Sequence, residues 1–167
     1  TTLPRYFQTT VSLMVSVGIC AAVVGTVTAW LIARYRFVGA GWLEWALLMP
    51  LAIPAYVGAY ALVDLLEYAG PVQTALRGVF GWENARVYWF PEIRSFPAAC
   101  FVLSFALYPY VYLSARTAFV QQSAVMIEAG RTLGLSPFAC FYRLGLPLAR
   151  PAIIVGVALV LMECMND

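Results

Sequence analysis

From Phe7 to Ala33 the chain reads FQTTVSLMVSVGICAAVVGTVTAWLIA and carries no charge before Arg34 and Arg36 close the run. A stretch of that length constrains the fold more than any other feature, because roughly 20 consecutive apolar residues suffice to cross a bilayer as a helix. In the bilayer a helix is also the one open-chain form that satisfies its own backbone hydrogen bonds. Further apolar runs with few charges follow. Trp42 to about Leu66 is interrupted by Pro50 and Pro54, one turn apart, which predicts a kink or local unwinding. About Phe96 to Val120 contains Pro109, a further expected break, and a fourth run starts near Ala149 and continues to the end. The fold class expected is all-α and polytopic, with about four membrane helices (7–33, 42–66, 96–120 and 149–167).

Composition agrees: 63% of the 167 residues are hydrophobic and 11% charged, against about half and a quarter in soluble domains. The net charge of +2 is carried by arginine alone, too little and too dispersed for a nucleic-acid surface. With no histidine, serine–histidine and cysteine–histidine catalysis and histidine metal sites are excluded. Cys20, Cys100, Cys140 and Cys164 form no C-x-x-C pair, so buried, inert thiols are expected, and no metal site. The first residues lack the basic segment and cleavage site of a signal peptide. The last ones, LVLMECMND, stop inside an apolar run, so the chain is expected to be a piece of a longer protein.

Residues 67–95 form the long connection. Their mixed charges, turn residues and aromatics (Trp82, Tyr88, Trp89, Phe90) fit an amphipathic or interfacial segment better than another span. If the four spans alternate, Arg34, Arg36, Arg116, Arg131, Arg143 and Arg150 share one side. Arg5, Arg77, Arg86 and Arg94 share the other, diluted by Glu67, Glu83 and Glu92. The positive-inside tendency then places loop 121–148 in the cytoplasm and loop 67–95 outside.

The 121–148 loop is the most polar-punctuated part of the chain. Ser123 can cap a helix from Ala124, along which Val125, Ala129 and Leu133 share a face with Met126 and Gly130 beside them. Small Ala129 and Gly130 keep that surface low enough for a partner backbone to approach. Gly134 follows as a left-handed C-cap. Ser136-Pro137 then starts a second helix, FACFYRLGL, expected to end before Pro147. These residues alone suit either helices lying on the membrane or a handle gripped by another subunit.

Glu128-Ala129-Gly130, Gly134, Leu144, Leu146 and Pro147 resemble the EAA motif of ABC-importer permeases: E-A-A, three residues, G, nine residues, I-x-L-P. All spacings match, with Gly130 for the second alanine and Leu144 for isoleucine. The runs LLMPLAIPAYVGAYAL and EAGRTLGLSPFACFYRLGLPLARPAI resemble the ferric-iron type in particular. The resemblance covers most of the chain, which lacks an earlier first span and whatever follows Asp167.

It implies the type I importer permease fold and a bacterial inner-membrane location. Loop 121–148 would contain the coupling helix seated in a cleft of a cytoplasmic ATP-binding subunit. By position, Glu128 would contact that partner, Ala129 and Gly130 would allow close approach, Gly134 would bend the loop, and Leu146-Pro147 would lead into the next span. A substrate-binding protein outside, a second permease half or subunit, and membrane lipid are the other implied partners. Ferric iron is the substrate it implies, with thiamine, polyamines, phosphonates and sulfate as alternatives among related permeases.

No G-x-x-x-x-G-K-[ST] occurs, so ATP is expected on a partner subunit and no cofactor on this chain. The chain is expected to be no enzyme, and catalytic residues are expected to be none. Ionisable groups inside spans default to function. Glu163 stands about 18 Å along its helix from Pro151, and with Asn166 and Asp167 it is a candidate for the solute pathway. Glu44, beside Trp42 and Trp45, reads as an anchor at the inner mouth. Tyr108, Tyr110 and Tyr112 around Pro109 read as packing. A gradient-driven transporter or channel is the rival class, and it would need paired acids at mid-membrane but no docking handle.

Overall fold

The computed structural model of the chain describes residues 3–82, 88, 90, 92 and 94–166. Every regular element among them is helical. In chain order they are α1 (Leu3–Arg34), α2 (Ala40–Ala46), a 3-10 turn (Met49–Ala52), α3 (Ala55–Leu66) and α4 (Pro71–Phe80). There follow α5 (Phe96–Gln121), α6 (Ala124–Thr132), α7 (Pro137–Cys140), a π-helical turn (Phe141–Gly145) and α8 (Leu146–Asn166). Three helical rods, Leu3–Arg34, Phe96–Gln121 and Pro137–Asn166, are long and apolar enough to cross a membrane.

The expected run 42–66 is broken rather than merely kinked. The pieces Ala40–Ala52 and Tyr56–Phe80 meet at 96°, which makes them one folded span or a re-entrant loop. The two prolines are the cause. Pro50 enters the 3-10 turn, and Ile53, directly before Pro54, is forced to extended angles (φ −118°, ψ 123°). The Tyr108 hydroxyl on α5 donates to the Leu47 carbonyl at 2.8 Å and holds the broken segment against the bundle.

The other prolines behave differently. Pro109, expected to break its span, lies buried inside an uninterrupted α5. In a packed membrane helix neighbouring turns and helices take over the freed backbone group, so the rod continues. Pro147 was expected to end the loop's second helix, and the fourth span to begin near Ala149. Instead α7, the π turn and α8 form one continuous helical rod from Pro137 to Asn166. A π turn widens the helix at the point where Pro147 cannot donate, and it absorbs the misfit that would otherwise stop the rod.

α1 and α5 run parallel, and α8 runs antiparallel to both. Gly25 on α1 lies close against the α5 backbone, and Gly156 on α8 presses on α5 from another side. Both meet Val111, which is fully buried. Around it pack Val17, Ala21, Leu107, Tyr112, Ala115 and Val160. Small residues at helix crossings let backbones approach where lipid provides no hydrophobic drive between helices. Tyr108 and Tyr112, one turn apart, share the buried face of α5, whereas Tyr110 is half-buried. The outward faces keep large apolar side chains such as Ile19, Phe101, Ile154 and Met162 exposed, a surface suited to lipid rather than water.

On the connection 67–95, α4 starts at Pro71 and closes on Gly81, whose φ is +68°. Its Gln73 donates to the Leu66 carbonyl at 2.7 Å and Arg77 to the Tyr68 carbonyl at 2.8 Å. Val79 and Phe80 point outward, so the helix is amphipathic with its polar side turned to the chain. Phe80, Trp82 and Tyr88 stack in series. Trp89, Glu83 and Arg86 lie outside the described residues. Among the cysteines, Cys140 and Cys164 are buried and Cys100 is half-buried, but Cys20 is exposed, contrary to expectation, on the outer side of α1.

Candidate coupling loop

The loop between α5 and α8 is built by short-range chemistry. Ser123 occupies the position before α6 with extended angles (φ −59°, ψ 127°), but its side chain caps nothing, unlike the expectation. At the other end the closure is complete. Gly134 has φ +86°, its N–H donates to the Arg131 carbonyl at 3.0 Å, and the Leu135 N–H reaches the Gly130 carbonyl at 3.0 Å. This pair of bonds is the Schellman closure, which uses carbonyls a helix end otherwise leaves unpaired. Ser136 caps α7 by accepting from the Ala139 N–H at 3.2 Å, with Pro137 in the first turn.

Gly134→Val should therefore strain the turn. A left-handed residue with a Cβ costs about 1–2 kcal/mol, and more when the side chain is β-branched. Nothing lies within 4 Å of a Cβ placed there, so the penalty is purely conformational. The detergent-solubilised full-length protein should melt several degrees lower with Gly134→Val, while Gly134→Asn costs little. Equal melting of the two variants would show that the turn geometry is unimportant.

The motif glycine Gly130 does not face outward as expected. It is buried, and a Cβ on it would lie 2.8 Å from Leu144 Cδ1, 3.4 Å from Leu135 Cδ1 and 3.5 Å from Cys140 Sγ. Its small size serves packing inside the loop, where the two halves of the motif, Gly130 and Leu144, meet. The outward face of α6 carries Val125 and Leu133, 71% and 84% exposed, with Glu128, Ala129 and Arg131 also exposed. An apolar stripe edged by one acid and one base projects from the bundle. Leu146 and Pro147 are half-buried at the start of α8.

The base of the loop is anchored to α1. The Trp30 ring stands edge-on to Phe119 (5.2 Å) and tilted to Phe141 (5.2 Å), and Gly145 is packed against the same indole. The Arg34 guanidinium lies 5.3 Å from the Trp30 ring centre. A groove of about 350 Å³ between α1 and the start of the rod Pro137–Asn166 is lined by Val27, Trp30, Leu31, Tyr35, Pro137, Phe138 and Phe141.

The pathway candidates lie elsewhere. Leu161 packs on Gly18 of α1, so Glu163, two residues further on, lies beyond that contact near the end of α8 away from the loop and is half-buried. Asn166 is exposed at the end of α8, and Asp167 lies outside the described residues. Among the described residues no contact brings Glu163 together with the loop residues.

Sequence reasoning missed two contacts. Glu44 is no simple anchor: its Oε1 pairs with Arg116 Nη2 on α5, each side chain about a third exposed. Arg34 and Gln122 meet as well. The signal for the first was available, since two opposite charges stood inside apolar stretches. Among the described residues no group of three histidine, cysteine, aspartate or glutamate side chains is placed to hold a metal.

The described chain is thus a bundle of apolar rods with a self-packed loop, carrying the EAA-like motif, at one end. Residues 12–167 match the binding-protein-dependent transport system inner membrane component family, and the chain belongs to it. It is 26% identical over 165 residues to the Fe(3+)-transport system permease protein of Haemophilus influenzae, covering 99% of this chain and 28% of that protein. Identity to the molybdenum transport system permease protein of Escherichia coli strain K12 is 31% over 146 residues, covering 86% and 59%. A probable sulfate transport system permease protein of Nephroselmis olivacea is 27% identical over 161 residues, covering 96% and 54%. The chain thus spans 28% to 59% of the length of these relatives.

Proposed function

We propose that the chain forms part of the translocation unit of an ABC importer in the bacterial inner membrane. Loop 121–148 is its cytoplasmic coupling element. The exposed stripe Val125–Ala129–Leu133 docks in a cleft of an ATP-binding subunit, with Glu128 as a polar contact at its edge. Gly134 fixes the angle between α6 and α7, and Leu146-Pro147 leads the push into α8. ATP is bound and hydrolysed by that partner, and this chain carries no cofactor. A substrate-binding protein delivers the solute from outside, a second permease half completes the route, and Glu163, Asn166 and Asp167 lie along it. The single observation that carries this reading is the closure of α6 by Gly134 at φ +86°, with an apolar stripe at Val125 and Leu133 left exposed among the described residues.

Ferric iron is the proposed substrate, supported by the relative that aligns with 99% of the chain. The molybdenum and sulfate permeases among the relatives favour a second reading, a tetrahedral oxyanion.

The test uses the full-length protein with Arg131→Cys. A membrane-impermeant maleimide should label it in inverted vesicles and not in intact cells, and the co-expressed ATP-binding subunit should protect it and co-purify with it. Labelling from outside intact cells would overturn the orientation, and with it the coupling role. Competition of radioactive ferric iron and molybdate for uptake separates the two substrates.

A further inference from the structure

The end of α1 is joined to the coupling loop through one side chain. Arg34, the last residue of α1, donates from Nη2 to the Phe119 carbonyl at 3.2 Å, to Gln122 Oε1 at 3.4 Å and to the Gln122 carbonyl at 3.5 Å. Gln122 closes α5. Its Nε2 donates to the Gly145 carbonyl at 2.9 Å, in the π turn that leads into α8. The primary amide thus accepts from α1 and donates to the root of α8. A carboxylate or a hydrocarbon cannot do both.

The clasp sits on a rigid floor. Trp30, one turn before Arg34, touches Phe119 and Phe141, and Gly145 leaves just enough room for its indole. The carbonyls that Arg34 takes lie in the last turn of α5 and its cap, where few backbone donors remain and the Phe119 carbonyl is held otherwise by a long bond of 3.4 Å from the Gln122 N–H. Three chain segments far apart in sequence therefore converge on two side-chain groups. Above them, Gly130 rests on Leu144, so a push on α6 passes directly into the π turn.

We propose that Gln122 is a positioning residue that ties the coupling loop to α1, so that displacement of α6 moves α1 and α8 as one body. Without the tie, the loop would swing on α5 and α8 alone. This inference rests on the coupling role proposed above.

The full-length permease, reconstituted with its ATP-binding and substrate-binding subunits, provides the test through uptake and ATP hydrolysis measured in parallel. Gln122→Leu should assemble normally and hydrolyse ATP within about twofold of the native complex, yet transport about tenfold less solute per ATP, within the usual range of coupling between sites. Gln122→Glu keeps the Arg34 contact and loses the donor to Gly145, so it should uncouple as well, whereas loss of local stability alone would be repaired by the stronger ion pair. Native transport per ATP in both variants overturns the proposal.

A second measurement needs no change at Gln122. Spin labels at Leu31→Cys and Phe138→Cys, on opposite walls of the groove between α1 and α7, should keep a constant separation through the nucleotide cycle. A separation that changes with ATP overturns the clasp even if Gln122→Leu fails to fold. If Gly134→Val uncouples transport but Gln122→Leu does not, the clasp fails and the coupling role stands. If the native complex never retains an ATP-binding subunit, the coupling role itself fails.

Discussion

Gly25→Leu should lower the melting temperature of the detergent-solubilised full-length protein by roughly 5–10 °C, from an overpacking cost of about 1–3 kcal/mol. A Cβ at position 25 would sit 2.8 Å from Val111 Cβ and 2.9 Å from both the Tyr108 carbonyl oxygen and the Tyr112 nitrogen. Two of those three atoms are backbone, so no rotamer change can make room, and α1 must move away from α5. Val111 cannot yield either, because Gly156 of α8 lies against its Cα, with a Cβ there 2.8 Å away. Gly58→Ala is the control. Nothing lies within 4 Å of that position in α3, and alanine in a helix gains about 0.5–1 kcal/mol over glycine. Equal melting of the two variants would refute the close crossing of α1 and α5.

The second large effect is expected at the ion pair. Glu44→Gln leaves Arg116 without its counter-charge on a helix long and apolar enough to cross a membrane, and among the described residues its Nε already lacks a partner. Breaking a fully buried pair costs about 3–5 kcal/mol. With each side chain about a third exposed, roughly 2 kcal/mol is the expected loss here. Arg116→Gln should destabilise by a similar amount. The double variant should recover much of the loss, since an ion pair removed entirely leaves no orphan charge. A thermal-shift double-mutant cycle reads this directly, and additive effects within about 0.5 kcal/mol would show that the two groups do not interact.

Both effects arise from contacts between helices, whereas the features legible beforehand were local ones. Long apolar runs marked the rods, Pro50 and Pro54 the interrupted segment, and Ser136-Pro137 the start of α7. The place of Gly134 after Leu133 marks it as left-handed, and its φ of +86° agrees. Each of these depends on residues within about one turn, where backbone sterics dominate. The misreadings share a cause. Pro109 and Pro147 stop no helix, because neighbouring helices and a π turn accommodate them, and a linear pattern contains neither. Gly130 looked like an opening for a partner, but Leu144, beyond the turn, fills the space beside it.

By itself the sequence determined a chain of membrane-length helices, the interruption at Pro50 and Pro54, and the turn at Gly134, because apolar run length and local dihedral preference act within a few residues. Only the tertiary structure decided which glycines face another helix, that Glu44 meets Arg116, and that Arg34, Gln122 and Gly145 close a clasp beneath the loop. Those outcomes depend on helix crossings a few ångströms wide, and a crossing is set by the summed shape of two surfaces rather than by any single stretch of residues.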